Sequence, residues 1–156
     1  MLKLDIPEFG AINIEHLVLD FSGTLSVDGV LIDGVAERLK SIGSFLEIHV
    51  LTADTHGRAA EALKNIDAKV EILSGDQHTA KKRDYIRKLG ADKCLAVGNG
   101  NNDMRMLEEA AIGICVCTDE GCSVEALKAS DILVQSPIDA FDMILNPNRL
   151  KATLRR

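Results

Sequence analysis

Three short segments of this sequence place oxygen-bearing side chains where the chain must turn and leave backbone N–H groups free. Asp20 closes the apolar run His16-Leu17-Val18-Leu19 and is followed by Phe21-Ser22-Gly23-Thr24-Leu25. A carboxylate ahead of a Gly-Thr turn lies beside unpaired N–H groups, a setting that draws an anion close. The same carboxylate could instead accept those N–H bonds itself and cap the turn. Thr52-Ala53-Asp54 follows a second apolar run, Leu46 to Leu51, and offers a hydroxyl at the approach to a helix. Anion oxygens are well received there, although a plain helix cap uses the same residue. Gly98-Asn99-Gly100-Asn101-Asn102-Asp103 combines two glycines, which allow a tight turn, with amide and carboxylate oxygens of the kind Mg²⁺ takes. Its bland counterpart is a polar turn with an N-cap. It is no dinucleotide fingerprint, because Asp103 stands where G-x-G-x-x-G needs its third glycine and the motif follows a late strand.

The elements that must hold these groups alternate along the chain. His16 to Asp20 reads as a buried strand, Val35, Leu39 and Ile42 as one helical face, and Leu46 to Leu51 as a strand. Helix is expected over 56–63, strand over 69–73, helix over 79–89 with Gly90 at its C-cap, and strand over 94–97. Then come helix over 104–110, strand over 112–117, helix over 122–129 and a last strand over 132–134. Ser136 and Pro137 suit the N-cap and first position of a helix over 138–145. Such alternation predicts an α/β fold with a mostly parallel sheet between two layers of helices. In such sheets ligands bind beyond the strands' carboxyl ends, where all three polar segments fall.

Length and composition agree with one unit spanning 1–156: 156 residues are the commonest domain size, and 46% hydrophobic content can fill its core. The formal charge of -6, from 24 acidic and 18 basic residues, argues against a nucleic-acid surface. The longest apolar run, Ala110 to Cys117, is far shorter than the roughly 20 residues that cross a bilayer. MLKLDIPEFG places a proline and acids where a signal peptide is apolar, so no membrane partner and a cytoplasmic location are expected. Cys94, Cys115, Cys117 and Cys122 lack paired C-x-x-C knuckles and read as ordinary free thiols. His16, His49, His56 and His78 show no mutual spacing that suggests a shared ligand set.

Taken in order, the polar segments resemble the haloacid dehalogenase superfamily of phosphoryl-transfer proteins across roughly residues 15 to 135. They are most similar to the phosphorylation domain of P-type ATPases, as a free soluble unit. Asp20-Phe21-Ser22-Gly23-Thr24-Leu25 resembles DKTGTL, Thr52-Ala53-Asp54 resembles TGD, Lys82 with Ile86 and Leu89 resembles the third motif, and 98–103 resembles GDGxND. The resemblance implies a three-layer αβα Rossmann-like fold and a Mg²⁺-dependent reaction through an aspartyl-phosphate on Asp20. It implies that Thr52 and Lys82 hold the phosphoryl oxygens, with Gly23, Thr24 and Ala53 completing the phosphate cradle. Lys81 is adjacent and could be the lysine instead. The implied metal set is Asp20, Ser22, Asn99 and Asp103. Mg²⁺ and a lysine would offset the repulsion between an anionic nucleophile and an anionic phosphate.

Two positions depart from the pattern. Superfamily phosphatases usually carry an acid/base aspartate two residues after the nucleophile, where this chain has Ser22, and the resemblance then implies slow dephosphorylation. Asn99 replaces a usual metal-binding aspartate, which removes one negative charge from the cation's ligands. Only 27 residues, Leu25 to Leu51, separate the first two motifs, too few for a nucleotide-binding domain. Ser26 to Ile32, with Asp28-Gly29 as its turn, is expected as a short β-hairpin flap on a capless fold. An open site suits a phosphorylated substrate, small or macromolecular, or closure by a neighbouring subunit in a homo-oligomer. The alternative function is a regulatory or binding protein that keeps the phosphate and Mg²⁺ site with little turnover. The basic tail 149–156 is expected to be a solvated helix, with an acidic partner as the rival reading.

Overall fold

Six strands pair in parallel in a computed structural model that describes residues 1–54 and 56–156. In chain order the elements begin with β1 (Leu2–Ile6), β2 (Gly10–Ile14), β3 (His16–Asp20), β4 (Ser26–Val27), β5 (Val30–Leu31), α1 (Val35–Ile42) and β6 (Glu47–Thr52). They continue through α2 (Arg58–Ala62), β7 (Lys69–Ile72), α3 (His78–Leu89), β8 (Cys94–Gly98), α4 (Met104–Glu109) and β9 (Ile112–Val116). The last are α5 (Val124–Lys128), β10 (Ile132–Val134), α6 (Pro137–Leu145) and α7 (Pro147–Leu154). The central sheet runs β10-β9-β8-β3-β6-β7. Its inner strands β3, β8 and β9 are buried on both faces, as continuous apolar runs such as CLAVG and IGICV require.

Each face carries its own apolar layer. Leu17, Leu19, Val50, Val97 and Ile114 pack with Leu39 of α1, Ala59 of α2, Phe141 of α6 and Leu150 of α7. On the other face Val18, Leu51, Ala96 and Cys115 pack with Ile86 of α3, Leu107 of α4 and Ala126 of α5. Two parallel layers of helices therefore enclose the sheet, as the alternation of elements predicted. Gly113 lets α4 approach β9 closely, since a Cβ there would overlap the Leu107 carbonyl.

The flap forms as expected: β4 and β5 pair antiparallel, and Asp28 and Gly29 take positive φ of 52° and 78°, the hairpin-turn geometry that matches strand twist. Ser136 Oγ accepts from Asp139 N at 3.2 Å and Pro137 opens α6, as its cap signal indicates. The second helix is shorter than the 56–63 expected. It covers only Arg58–Ala62, because Asp54 turns back at φ 32° to accept from Ala59 N and Ala60 N at 3.0 and 3.3 Å.

Two regions differ from the sequence reading. The first residues form the antiparallel hairpin β1–β2, with Leu2, Leu4 and Ile6 buried along one side. The tail is helical but not merely solvated: Leu150 and Leu154 of α7 are buried beside β1 and leave the basic groups outside. Arg156 lies 5.8 Å from the Phe9 ring centre, which ties the end of the chain to the β1–β2 loop. Among the described residues no helix is long and apolar enough to cross a membrane.

Candidate active site

The chain leaves β3 toward β6 on one side and reaches β8 on the other, so strand order reverses between β3 and β8. Loops diverge at such a point and leave a crevice. Asp20 ends β3 on one side of it, and the turn from Gly98 to Asp103 follows β8 on the other. Lys82 reaches the crevice from the first turns of α3, on the face that also carries Tyr85 and Ile86.

Lys82 Nζ donates to Asp20 Oδ1 and to Asp103 Oδ1, both at 2.7 Å. Its side chain is 1% exposed and that of Asp103 0%, so two carboxylates share one ammonium almost out of water. Burial, reinforced by the charge of Asp103, pushes the Asp20 carboxyl up to about 6 against the pull of Lys82 and Thr24. Burial works against the Lys82 charge as well, but Asp20 and Asp103 together outweigh it and hold the ammonium above its ordinary range. The cluster thus carries a net negative charge that a cation or a transferred proton would relieve.

The remaining geometry fixes which oxygens face the crevice. Thr24 Oγ1 lies 3.1 Å from Asp20 Oδ2 and 3.2 Å from Asn99 Oδ1, and its one hydrogen can satisfy only one of them. Asn99 Nδ2 donates to the Gly121 carbonyl at 3.2 Å, which orients the amide with its oxygen toward Thr24. Gly23 sits at φ 76°, and a Cβ there would overlap Asn99 Nδ2. The Phe21 carbonyl accepts from Thr24 N, Leu25 N and Ser26 N, winding 21–26 into one tight turn that aims Asp20 and Thr24 inward.

Asp103, expected among the metal ligands, braces the turn and Lys82. Its Oδ2 accepts from Asn99 N and Gly100 N, both at 3.0 Å, while Oδ1 holds Lys82. Gly98 makes room for it, since a Cβ there would lie 2.6 Å from the Asp103 carboxyl carbon. Of the two adjacent lysines, Lys82 enters the crevice, while Lys81 is exposed and bonds the Ser74 carbonyl. Thr52 is buried at the end of β6 and its Oγ1 accepts from Asp54 N at 3.2 Å, and among the described residues its hydrogen has no acceptor. Ser22 and Ala53 are exposed and line one cleft of 220 Å³ with Asp54, His56, Arg58 and Glu120. Larger hollows of 540 Å³, such as the one under Met1, Asn13 and Lys93, hold none of these groups, so volume alone does not mark the site.

His56, Arg58 and Glu120 were not singled out from sequence. His56 lies in the loop after β6, Arg58 opens α2 and Glu120 lies in the loop after β9, and no spacing announces that these meet at Ser22. Glu120 Oε2 accepts from Asp28 N at 3.2 Å and Thr118 Oγ1 donates to the Gly23 carbonyl at 2.9 Å, so the loop after β9 also fastens the flap and the Asp20 turn. The reading of the thiols fits: Cys94 and Cys115 are buried, and burial pushes both up to about 12. The reading of the histidines needs correction, because His16 and His49 meet Glu47 in one cluster. Sequence distance concealed it, since His16 and Glu47 are paired across β3 and β6.

No protein-family model matches the chain. An uncharacterized protein of Methanocaldococcus jannaschii, MJ0073, is 52% identical over 63 residues, 40% of this chain and 68% of that one. The phospholipid-transporting ATPase tat-1 of Caenorhabditis elegans is 28% identical over 87 residues, 56% of this chain but only 8% of the ATPase. Among solved structures, the Moraxella catarrhalis 3-deoxy-D-manno-octulosonate 8-phosphate phosphatase, in complex with magnesium and phosphate ions and a KDO molecule, superposes with a TM-score of 0.67 at 21% identity. That match covers 89% of this chain and 90% of the phosphatase. The chain therefore belongs to the same family as the archaeal protein MJ0073, and its fold is that of the haloacid dehalogenase superfamily.

Proposed function

We propose that the protein is a Mg²⁺-dependent phosphohydrolase or phosphotransferase of haloacid dehalogenase type that works through an aspartyl-phosphate on Asp20. The observation that carries this reading is the triad at the strand crossover, where one buried lysine holds a nucleophile-grade carboxylate by one oxygen and leaves the other on a single hydroxyl. A carboxylate oxygen of Asp20 attacks phosphorus, and the bond from phosphorus to the ester oxygen breaks. Water then attacks the aspartyl-phosphate, releasing inorganic phosphate and restoring the carboxylate. Lys82 sits where it can meet the anion's oxygens without moving far, and the Thr52 hydroxyl can donate to another. Gly23, Thr24 and Ala53 complete the cradle in this reading.

The donor chemistry fits a hard cation: a carboxylate oxygen of Asp20 and the amide oxygen of Asn99 lie together about the Thr24 hydroxyl, at 3.1 and 3.2 Å from it, and burial keeps Asp20 in need of a positive neighbour. Mg²⁺ when bound would neutralise charge on the phosphoryl group. Asp20, Asn99 and Ser22 would hold it, while Asp103 serves by positioning Lys82 and bracing the 98–103 turn. Phosphatase neighbours at this level of identity support the reading by their fold.

Ser22 at the cleft mouth supplies no carboxylate, so dephosphorylation is the slow step. Acetyl phosphate tests the mechanism, because its leaving group needs little protonation. Intact-mass measurement should find a phosphorylated adduct in wild type with Mg²⁺ and none in Asp20→Asn. An adduct of equal yield in that variant would end the covalent reading. A second reading, a binding protein with the same site and almost no turnover, is favoured by Ser22 and Asn99 together. It predicts an adduct that forms but does not decay.

A further inference from the structure

At the opposite end of the sheet from Asp20, two imidazole nitrogens and one carboxylate oxygen converge within 3.6 Å of one another. His16 Nδ1 lies 3.1 Å from His49 Nε2 and 3.1 Å from Glu47 Oε2, and the last two are 3.6 Å apart. Strand register builds the cluster. His16 pairs with Glu47 across β3 and β6, His49 follows two residues later on the same face, and Lys69 of β7 pairs with His49. His16 opens β3 and Asp20 closes it, four residues on, so the cluster lies about 13 Å from the carboxylate triad.

We propose that His16, His49 and Glu47 form a second cation site, distinct in place and donor type from the oxygen-lined crevice, that takes a transition metal and suits zinc. The separations carry this first. Ligand bonds of about 2.0–2.1 Å in tetrahedral geometry place neighbouring donors roughly 3.3 Å apart, and the triangle of 3.1, 3.1 and 3.6 Å brackets that spacing. Two imidazoles with one carboxylate are an open zinc donor set, whereas Mg²⁺ avoids nitrogen. The fourth position falls to solvent, since Glu47 is 40% exposed and His16 is 15% exposed.

The surroundings are those of ligands held in place. His49 Nδ1 lies 2.9 Å from the Tyr85 hydroxyl, so a proton on Nδ1 leaves the Nε2 lone pair facing the cluster. Lys69 holds the other carboxylate oxygen of Glu47. His49 is 1% exposed, with its ring set edge-on against Tyr85 at 5.6 Å between centroids, so its Nε2 is held toward the cluster. Without a cation, the single hydrogen His16 Nδ1 can carry reaches His49 or Glu47 but not both. A metal here clips β3 to β6 and, through Tyr85, braces α3, the helix that carries Lys82.

The test uses the intact 156-residue chain, stripped of metal and kept in millimolar Mg²⁺, titrated with Co²⁺ as a visible surrogate and then with Zn²⁺. One Co²⁺ per chain should bind with the intense visible bands of four-coordination and without a near-ultraviolet thiolate band, and one Zn²⁺ should displace it. His16→Gln and Glu47→Gln, both at partly exposed positions, should each weaken Zn²⁺ binding by at least about 100-fold, and Tyr85→Phe by about tenfold. Asp103→Asn should leave the affinity unchanged, and wild-type Tm should rise with free Zn²⁺. Absence of a four-coordinate species in wild type, a thiolate band, loss of the signal in Asp103→Asn, or undiminished affinity in His16→Gln and Glu47→Gln would each overturn the assignment. If either variant is unstable, the wild-type stoichiometry and spectrum decide.

Discussion

Asp20→Asn should make the protein more stable while abolishing its chemistry, and the size of the gain follows from the triad. Burial and Asp103 raise the Asp20 carboxyl from 3.8 to about 6 in the folded state, with the attraction of Lys82 already included. A carboxyl raised on folding contributes stability that is complete below its unfolded value and is lost as pH climbs through the folded one. At neutral pH the ionised carboxylate therefore costs the metal-free fold up to about 3 kcal/mol, at about 1.4 kcal/mol per tenfold in proton affinity. Asparagine removes that charge and leaves Lys82 paired one-to-one with Asp103. For a chain of this size each kcal/mol moves Tm by about 2–4 °C, so a rise of up to about 10 °C is expected at pH 7.5 in chelator. The rise should shrink between pH 6 and pH 4, where wild-type Asp20 takes up its proton. Added Mg²⁺ should stabilise wild type more than the variant, because the variant lacks an anionic donor. Calorimetry at pH 4 and 7.5 decides it. A lower Tm for Asp20→Asn at pH 7.5, or an equal difference at both pH values, would refute the electrostatic account of the triad.

Ser22→Asp should speed decay of the aspartyl-phosphate by up to about 10²–10⁴, read by intact mass over time, because Ser22 is exposed at the cleft and has room for a carboxylate; unchanged decay would point to another base. Gly23→Ala should lower adduct yield and destabilise the fold by about 1–3 kcal/mol, since it forces a side chain to φ 76° against Asn99; phosphorylation at the wild-type rate would contradict the turn's role. Leu150→Ala should cost about 2–5 kcal/mol in urea unfolding, as Leu150 is 0% exposed in the core that α7 shares with β1. A loss under about 0.5 kcal/mol there would mean that α7 is only a solvated tail.

What could be read from sequence was whatever local chemistry determines. His16 to Asp20 is apolar and β-branched enough to declare its strand, and Ser136-Pro137 declares a helix start through cap chemistry. That Asp20, Lys82 and Asn99 would gather at one crevice was legible because Asp20 closes an apolar strand before a Gly-Thr turn, Asn99 lies between two glycines and Lys82 shares a helical face with Ile86. The β1–β2 hairpin was missed although Leu2, Leu4 and Ile6 alternate, because its partner surface, α7, lies at the far end of the chain. Over 149–156 the four basic residues hid the i, i+4 pair Leu150 and Leu154. The His16, Glu47 and His49 cluster depends on the register of two strands separated by α1, and no local pattern encodes register. Asp103 was expected on the metal because an acid after Gly-Asn-Gly reads as a ligand. That its oxygens are taken by Asn99 N, Gly100 N and Lys82 depends on how tightly the turn closes over Gly98.

The packing of α7 against β1 also sets an order of events during folding. A two-stranded hairpin is marginal by itself in water, so β1–β2 gains its cover only when α7, more than 130 residues later, has been made. Closing that loop is entropically costly and slow compared with local helix formation. During synthesis Leu2, Leu4 and Ile6 must wait exposed while the sheet assembles around β3. In the finished molecule the same dependence runs backward: release of α7 uncovers β1, and both ends should open as one cooperative unit before the sheet does.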